Sequence, residues 1–236
     1  MIRIGVLASG SGSNLQAILE ACAAGRIAGT VAVVVSNVPG ARALERARSA
    51  GAPAELLPSK GVADRAAYDA ALVERLRAHG VDLVCLAGYM RIVTPVFLDA
   101  FGPGAATRGC PRVMNVHPAL LPSFPGLHAQ RQAVEHGARF SGCTVHFVDT
   151  GTDTGPIIAQ AVVPVLPGDT EETLAARILV EEHRVYPQAV QWFAEGRLSA
   201  TGRRVTVDGA SAPALDDLSN PARDPGPAAP REPPAP

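Results

Sequence analysis

The chain has 236 residues, enough for one large domain or two small ones with a substantial core. With 47 % hydrophobic and 18 % charged residues it reads as an ordinary soluble protein, and its formal net charge of −1 argues against a nucleic-acid partner, which would require a basic face. All but one of the 21 basic residues are arginine (Lys60 is the exception), a bias that goes with the heavy Ala and Pro usage and reads as compositional rather than functional.

In chain order, Ile2–Ala8 is a short apolar run of the kind buried on both faces of a sheet, and it leads directly into a glycine loop. A helical pattern follows over 14–24, then a strand over 31–36, a helix over 41–50, and a helix over 65–78 that starts after Asp64 as N-cap and stops before Gly80. Strands at 81–87 and Val113–His117 come next, then strands at 143–148 and Ile157–Pro164. A long helix from about 170 to 195 should be kinked or interrupted by Pro187, and 203–207 could form a last short strand. Strands alternating with helices of this length imply an α/β fold: a Rossmann-like, mostly parallel twisted sheet with helices on both faces.

From Gly209 onward the pattern stops. The segment 209–236 is rich in Pro and Ala with almost no large apolar side chain, so residues 1–208 are expected to form the catalytic domain and 209–236 a disordered tail. The chain opens on a strand rather than a signal peptide, and no apolar run is long enough to span a bilayer; a cytoplasmic protein without membrane partners is expected. Cys22, Cys85, Cys110 and Cys143 show no Cys-x-x-Cys spacing, so neither a disulfide framework nor a zinc site is suggested, and no metal is expected.

Three segments carry chemistry. Met114-Asn115-Val116-His117-Pro118 places Asn115 and His117 on one face of a strand, because side chains two apart point the same way. Pro118 ends the strand and leaves His117 at its C-terminal lip, where open α/β sheets bind ligands. Together with the carboxylate of Asp153, in Asp153-Thr154-Gly155-Pro156, this is equipment for a tetrahedral oxyanion: Asn and His donate to it and Asp fixes the His. The first turn, Ala8-Ser9-Gly10-Ser11-Gly12-Ser13-Asn14, opens a helix and suits an anion, most naturally a phosphate monoester. It is not a Walker loop, and Leu15 and Asn37 stand where a dinucleotide site would place Gly and an acid. The third segment, Ala87-Gly88-Tyr89-Met90-Arg91-Ile92-Val93, sets an apolar wall beside a guanidinium and suits a flat heteroaromatic with polar edges.

These segments, in this order and with Thr144-Val145-His146-Phe147-Val148 leading to Asp153, resemble the phosphoribosylglycinamide formyltransferases (glycinamide ribonucleotide transformylases) over roughly residues 1–200. The resemblance implies the formyltransferase fold and transfer of a formyl group from 10-formyltetrahydrofolate, as co-substrate, to the primary amine of N1-(5-phospho-D-ribosyl)glycinamide in purine synthesis. Carried over residue by residue, Gly12, Ser13 and Asn14 match the phosphate loop, and Glu182 a ribonucleotide-binding position. Arg65, Met90, Arg91, Ile92, Val93, Asn115 and the loop from Asp149 to Asp153 match folate positions, and Asn115, His117 and Asp153 the catalytic three. The implied partners are small molecules, with no metal, and the protein is a monomer or homodimer. The stretch 101–111 reads as an insertion that lengthens a surface loop, and the proline tail lies outside the family pattern.

In the implied mechanism the amine attacks the formyl carbon, Asn115 and a protonated His117 stabilise the oxyanion, and His117, with Asp153 or a water as relay, protonates the leaving nitrogen. Three rivals are weaker. Formyltetrahydrofolate deformylase resembles this domain preceded by a further module, whereas here a strand starts at Ile2. Methionyl-tRNA formyltransferase would require a C-terminal nucleic-acid-binding domain and a basic surface. A non-catalytic nucleotide-binding protein would keep the loop 12–14 but has no use for Asn115, His117 and Asp153 together.

Overall fold

The computed structural model describes residues 1–210 and the backbone of 219–220. Five parallel strands, β1 (Ile2–Ala8), β2 (Gly29–Ser36), β3 (Ala54–Leu56), β4 (Leu83–Leu86) and β5 (Val113–His117), lie in the order β3-β2-β1-β4-β5. The sheet continues antiparallel through β6 (Phe140–Phe147) and β7 (Ile157–Pro164). A hairpin of β8 (Leu198–Thr201) and β9 (Arg204–Val207) then joins it through β9.

Alternation divides the core between two faces. Ile4, Val6 and Ala8 of β1 pack, with Leu83 and Cys85 of β4, on the side covered by α1 (Ser13–Ala23), α2 (Arg42–Ser49) and α6 (Glu171–Ala194). Leu7, Val84 and Leu86 face α3 (Arg65–Ala78) and α4 (Pro95–Ala100). A strand apolar on both faces is thereby explained, and so is the absence of a polar stripe in β1 and β4. The chain runs outward from β1 to β2 and β3, then returns to place β4 on the other side of β1. The strand order reverses there, and the helices on either side of the reversal leave a crevice at the C-terminal strand ends.

Asp64 caps α3 as its position predicts, its carboxylate accepting from Ala67 N at 2.9 Å, an interaction worth about 1 kcal/mol. Three elements escape the periodicity reading because they are short: β3, α4, which Pro95 opens at its first turn, and β8. Pro187 does not interrupt α6, which runs unbroken for 24 residues. Tyr186, fully buried, sets its hydroxyl 3.0 Å from both Leu86 O and Met114 O, so the helix is pinned to adjacent strands where the proline removes a helical bond. Packing outweighs a local cost of about 3 kcal/mol.

The stretch 101–111 is a surface segment, exposed over most of its length and anchored near its ends. Phe101 and Cys110 are buried, a 3-10 turn spans Ala105–Thr107, and Arg108 O accepts from Ala200 N at 3.1 Å, docking the segment on the β8–β9 hairpin. Within the expected tail, Ser219 and Asn220 pair antiparallel, as β10, with Ala161 and Gln160, which a tail without structure does not do. Beyond Ile157, β9 leaves that edge of β7 open, and unpaired backbone groups on an edge attract a strand. The remainder of 211–236 lies outside the described residues. Among the described residues no helix is long and apolar enough to cross a membrane, and all four cysteines are free thiols, with burial pushing Cys85 up to about 12.

Candidate active site

The register of β5 against β6 assembles the centre. Asn115 stands opposite His146 and His117 opposite Thr144, and directly opposed antiparallel residues share a face. The alternate positions, Met114, Val116, Val145 and Phe147, go to the core. Asn115 Nδ2 lies 3.2 Å from His146 Nε2, and His146 Nδ1 is 2.8 Å from Phe147 O. A carbonyl only accepts, so Nδ1 carries the proton of a neutral ring and Nε2 accepts from the amide of Asn115. Burial pushes the His146 imidazole below its ordinary pKa, against the opposing pull of the Phe147 carbonyl and of Asp153, which keeps that tautomer. The amide of Asn115 is thereby oriented, with its second N–H left to donate.

His117, only 4 % exposed, sits with Nδ1 3.3 Å from Asp153 Oδ2 and Nε2 2.8 Å from the carbonyl of Phe124. The predicted pair of His117 and Asp153 is present. The second acceptor was not foreseen: both ring nitrogens face acceptors, so presenting an N–H to a reacting oxygen means releasing one of them. The neutral carbonyl is the weaker hold.

Phe124, His128 and Asp153 all have left-handed backbones, with φ of 52, 57 and 54°, each at a cost of about 1–2 kcal/mol for a side chain with a Cβ. Their clustering around one histidine marks a place where geometry is held against local preference. The bracing is visible. Asp153 Oδ2 accepts from Gly126 N at 2.8 Å, and Asp149 Oδ1 accepts from Gly151 N at 3.1 Å and Thr154 Oγ1 at 2.7 Å. Thr144 Oγ1 accepts from Leu121 N and donates to Ala119 O, fixing the segment after Pro118. Gly155 has no room for a side chain: a Cβ would fall 1.8 Å from Phe147 O.

The centre opens into a cavity of about 720 Å³ with two unlike ends. At one, buried Asn14 donates to Glu182 Oε2 at 2.7 Å, leaving Asn14 Oδ1 without a partner among the described residues. Burial raises the pKa of Glu182, and the Asn14 bond opposes the rise. At the other end, Met90, Ile92 and Leu127 are 68 %, 56 % and 72 % exposed and give the mouth an apolar rim of the kind that marks a binding surface.

Of the residues named from the sequence, Asn14, Met90, Arg91, Ile92, Val93, Asn115, His117, Asp149, Asp153 and Glu182 line this cavity. Val93 is largely buried, with the core beneath, and Arg91 spreads its guanidinium 4.2 Å over the ring of Tyr68. Arg65, Gly12 and Ser13 do not line it. Arg65 Nη2 instead donates to Ile92 O, holding the apolar loop from outside. Gly12 (φ 70°) is packed so closely on α2 that a Cβ would meet Ala43 Cα at 2.8 Å, and Ser13 lines a separate, smaller cavity. None of residues 101–111 lines the large cavity. His146 is the residue that sequence reasoning misses: its imidazole lies within the strand run Thr144-Val145-His146, and only pairing with Asn115 brings it to the centre.

A crevice at the switch point of a mostly parallel sheet, holding an Asn and a His–Asp pair in a cavity of about 720 Å³, is the site of an α/β enzyme. Comparison with known proteins agrees. Residues 2–190 match the formyl transferase family. The chain is 44 % identical over 212 residues to the phosphoribosylglycinamide formyltransferase of Escherichia coli (strain K12), covering 90 % of this chain and 96 % of that protein. It is 48 % identical over 196 residues to the trifunctional purine biosynthetic protein adenosine-3 of Drosophila melanogaster, covering 82 % of this chain and 14 % of that one. The crystal structure of glycinamide ribonucleotide transformylase 1 from Symbiobacterium toebii superposes with a TM-score of 0.83 at 61 % identity, covering 88 % and 94 % of the two chains. The chain belongs to the phosphoribosylglycinamide formyltransferase family.

Proposed function

We infer that this protein transfers the formyl group of 10-formyltetrahydrofolate to the primary amine of N1-(5-phospho-D-ribosyl)glycinamide, giving the N2-formyl product and tetrahydrofolate on the route to purine nucleotides. The observation that carries the reading is the convergence of Asn115, His117 and Asp153 between a buried polar end and an exposed apolar end of one cavity. The volume and the apolar rim fit a folate, whose flat heteroaromatic ring is covered there. The folate supplies an activated formyl group on a nitrogen that can leave.

The chain's own residues then have separable tasks. The free N–H groups of the loop 12–14 hold the ribonucleotide phosphate, and Asn14 with Glu182 receives its polar middle. Attack of the amine on the formyl carbon puts negative charge on the formyl oxygen. The free N–H of Asn115 donates to that oxygen from an amide that His146 holds in place. His117 exchanges the Phe124 carbonyl for the same oxygen while Asp153 stays on its other nitrogen. The attacking amine loses a proton and the departing nitrogen gains one, with His117 and Asp153 as the pair able to relay it. Holding both reactants side by side removes the entropy cost of their encounter.

Residues 1–208 form the catalytic unit, working in the cytoplasm as a monomer or homodimer. The test is consumption of 10-formyltetrahydrofolate with and without glycinamide ribonucleotide. Turnover should require the ribonucleotide and yield its formyl derivative; formate release at the same rate in its absence would make the protein a hydrolase.

A further inference from the structure

The ribonucleotide end carries a charge deficit. Gly12, Ser13 and Asn14 are neutral and Glu182 is a carboxylate, yet a phosphate monoester brings nearly two negative charges. Among the described residues the N–H groups of Ser11, Gly12, Ser13 and Asn14 have no acceptor, and α1 has no side-chain cap. Four free donors in a row form a nest for an anion, but donors alone supply only partial charge.

Two guanidiniums, those of Arg26 and Arg46, line the small cavity beside Ser13 together with the carboxylate of Glu20, and of the two cations Arg46, from α2, is the one bonded to the loop. Arg46 Nε donates to Ser11 O at 2.9 Å and Nη1 to Gln16 Oε1 at 3.1 Å. Two of its five N–H donors are thus engaged among the described residues, and its guanidinium lines the cavity of about 250 Å³ that Ser13 also lines. One residue earlier in the loop and three earlier in α2, Ala43 N donates to Gly10 O at 3.1 Å. In a trans peptide the C=O and the next N–H point opposite ways. Drawing the carbonyls of Gly10 and Ser11 toward α2 therefore turns the N–H groups of Ser11 and Gly12 away from it, out toward the free end of α1. His183, next to Glu182 on α6, lines the same small cavity, and its Nε2 is buried without a partner among the described residues.

We propose that Arg46 is the phosphate-positioning residue of the ribonucleotide half-site: its guanidinium holds the Ser11 carbonyl so that the loop's N–H groups face the phosphate, and supplies the fixed positive charge that the loop lacks. The inference rests on the formyl-transfer reading only for the identity of the phosphate ester.

The experiment compares Arg46→Gln with the unaltered enzyme on glycinamide ribonucleotide and on the dephosphorylated glycinamide ribonucleoside. A charged hydrogen bond lost at a phosphate predicts a fall of about 10- to 100-fold in kcat/KM for the ribonucleotide. The ribonucleoside rate and the KM for 10-formyltetrahydrofolate should stay within about two-fold. An equal fall for both substrates would show a structural role and overturn the proposal, as would no fall. Should the glutamine variant fail to fold, Arg46→Lys, which keeps the charge and loses the fork, must still lower the ribonucleotide-to-ribonucleoside ratio several-fold; an unchanged ratio overturns the proposal. Inorganic phosphate provides an arm free of the formyl-transfer reading. It should raise the melting temperature of the unaltered protein and not that of Arg46→Gln, whatever either protein catalyses.

Discussion

The two ends of the cavity are built by opposite means. The end proposed for the ribonucleotide is made of buried polar side chains brought together from distant parts of the chain: Asn14 and Glu182 are 9 % and 6 % exposed and lie 168 residues apart. The end proposed for the folate is a loop, Met90 to Val93, exposed at Met90 and Ile92, buried at Val93 and strapped from behind by α3. There Arg65 donates to Ile92 O, Asp69 accepts from Thr94 N at 2.6 Å, and Tyr68 lies under Arg91. A small charged ligand is bound by desolvated, prepaired groups with little freedom, whereas a large flat one is bound by area. Specificity at the first end should therefore rest on single atoms, and at the second on summed contact.

The centre between them belongs to neither end, and breaking it should have the largest effect. His117→Ala and Asn115→Ala should each lower kcat by on the order of 10²-fold or more while leaving both KM values within a few-fold, measured at saturating co-substrate. The double variant should lose less than the product of the two, since both groups act on one transition state. At the polar end, Glu182→Ala leaves the amide of Asn14 buried without its acceptor, and should raise the KM for the ribonucleotide by about 10- to 100-fold with the folate KM unmoved. If the folate KM rose instead, the assignment of the two ends would be reversed. At the apolar end, Met90→Ser with Ile92→Ser should raise the folate KM by roughly ten-fold and leave the ribonucleotide KM alone, because each side chain contributes covered area rather than a unique contact.

The smallest effect is on stability against pH, and it separates the two buried titrating groups by sign. The folded-state pKa of Glu182 is raised, so its destabilising charge develops as pH rises from the unfolded carboxylate range through the folded pKa. Glu182→Gln should therefore gain stability relative to the parent at neutral pH and lose that advantage at about pH 4. The folded-state pKa of His146 is lowered, so the unfolded chain takes up its proton first and stability falls as pH drops below about 6.5. His146→Gln should flatten that acid slope. Denaturant titrations at three pH values resolve both.

Much of this comparison was legible in the sequence, for identifiable reasons. Alternation in Met114-Asn115-Val116-His117 gave the shared face, and Pro118 the strand end, because strand geometry is local. The apolar wall of Met90 and Ile92 was legible too, since residues that cover a ligand are apolar in either reading. What escaped depends on register or on packing between elements. His146 became visible only opposite Asn115 across an antiparallel pair, and nothing in its own run marks that pairing. The Phe124 carbonyl on His117 Nε2 needs the loop after Pro118 folded back on itself. Arg65 sits in a matching position and donates to Ile92 O, a bond between elements that spacing does not encode. Pro187 misled for the converse reason: a local rule about helices was outweighed by the burial of Tyr186 beside it.

The hydrogen bond from Asn14 to Glu182 has a consequence for how this protein comes into being. The glycine loop is translated 168 residues before the carboxylate that completes its pocket, and until then it carries donors with nothing to bind. Affinity for the ribonucleotide therefore cannot develop gradually during synthesis; it arrives when α6 docks beside α1. A nascent chain stalled before that point would have most of its parallel strands and no grip on its substrate. Substrate-dependent protection from proteolysis, applied to chains arrested at successive lengths, would then time the closing of the fold rather than its beginning.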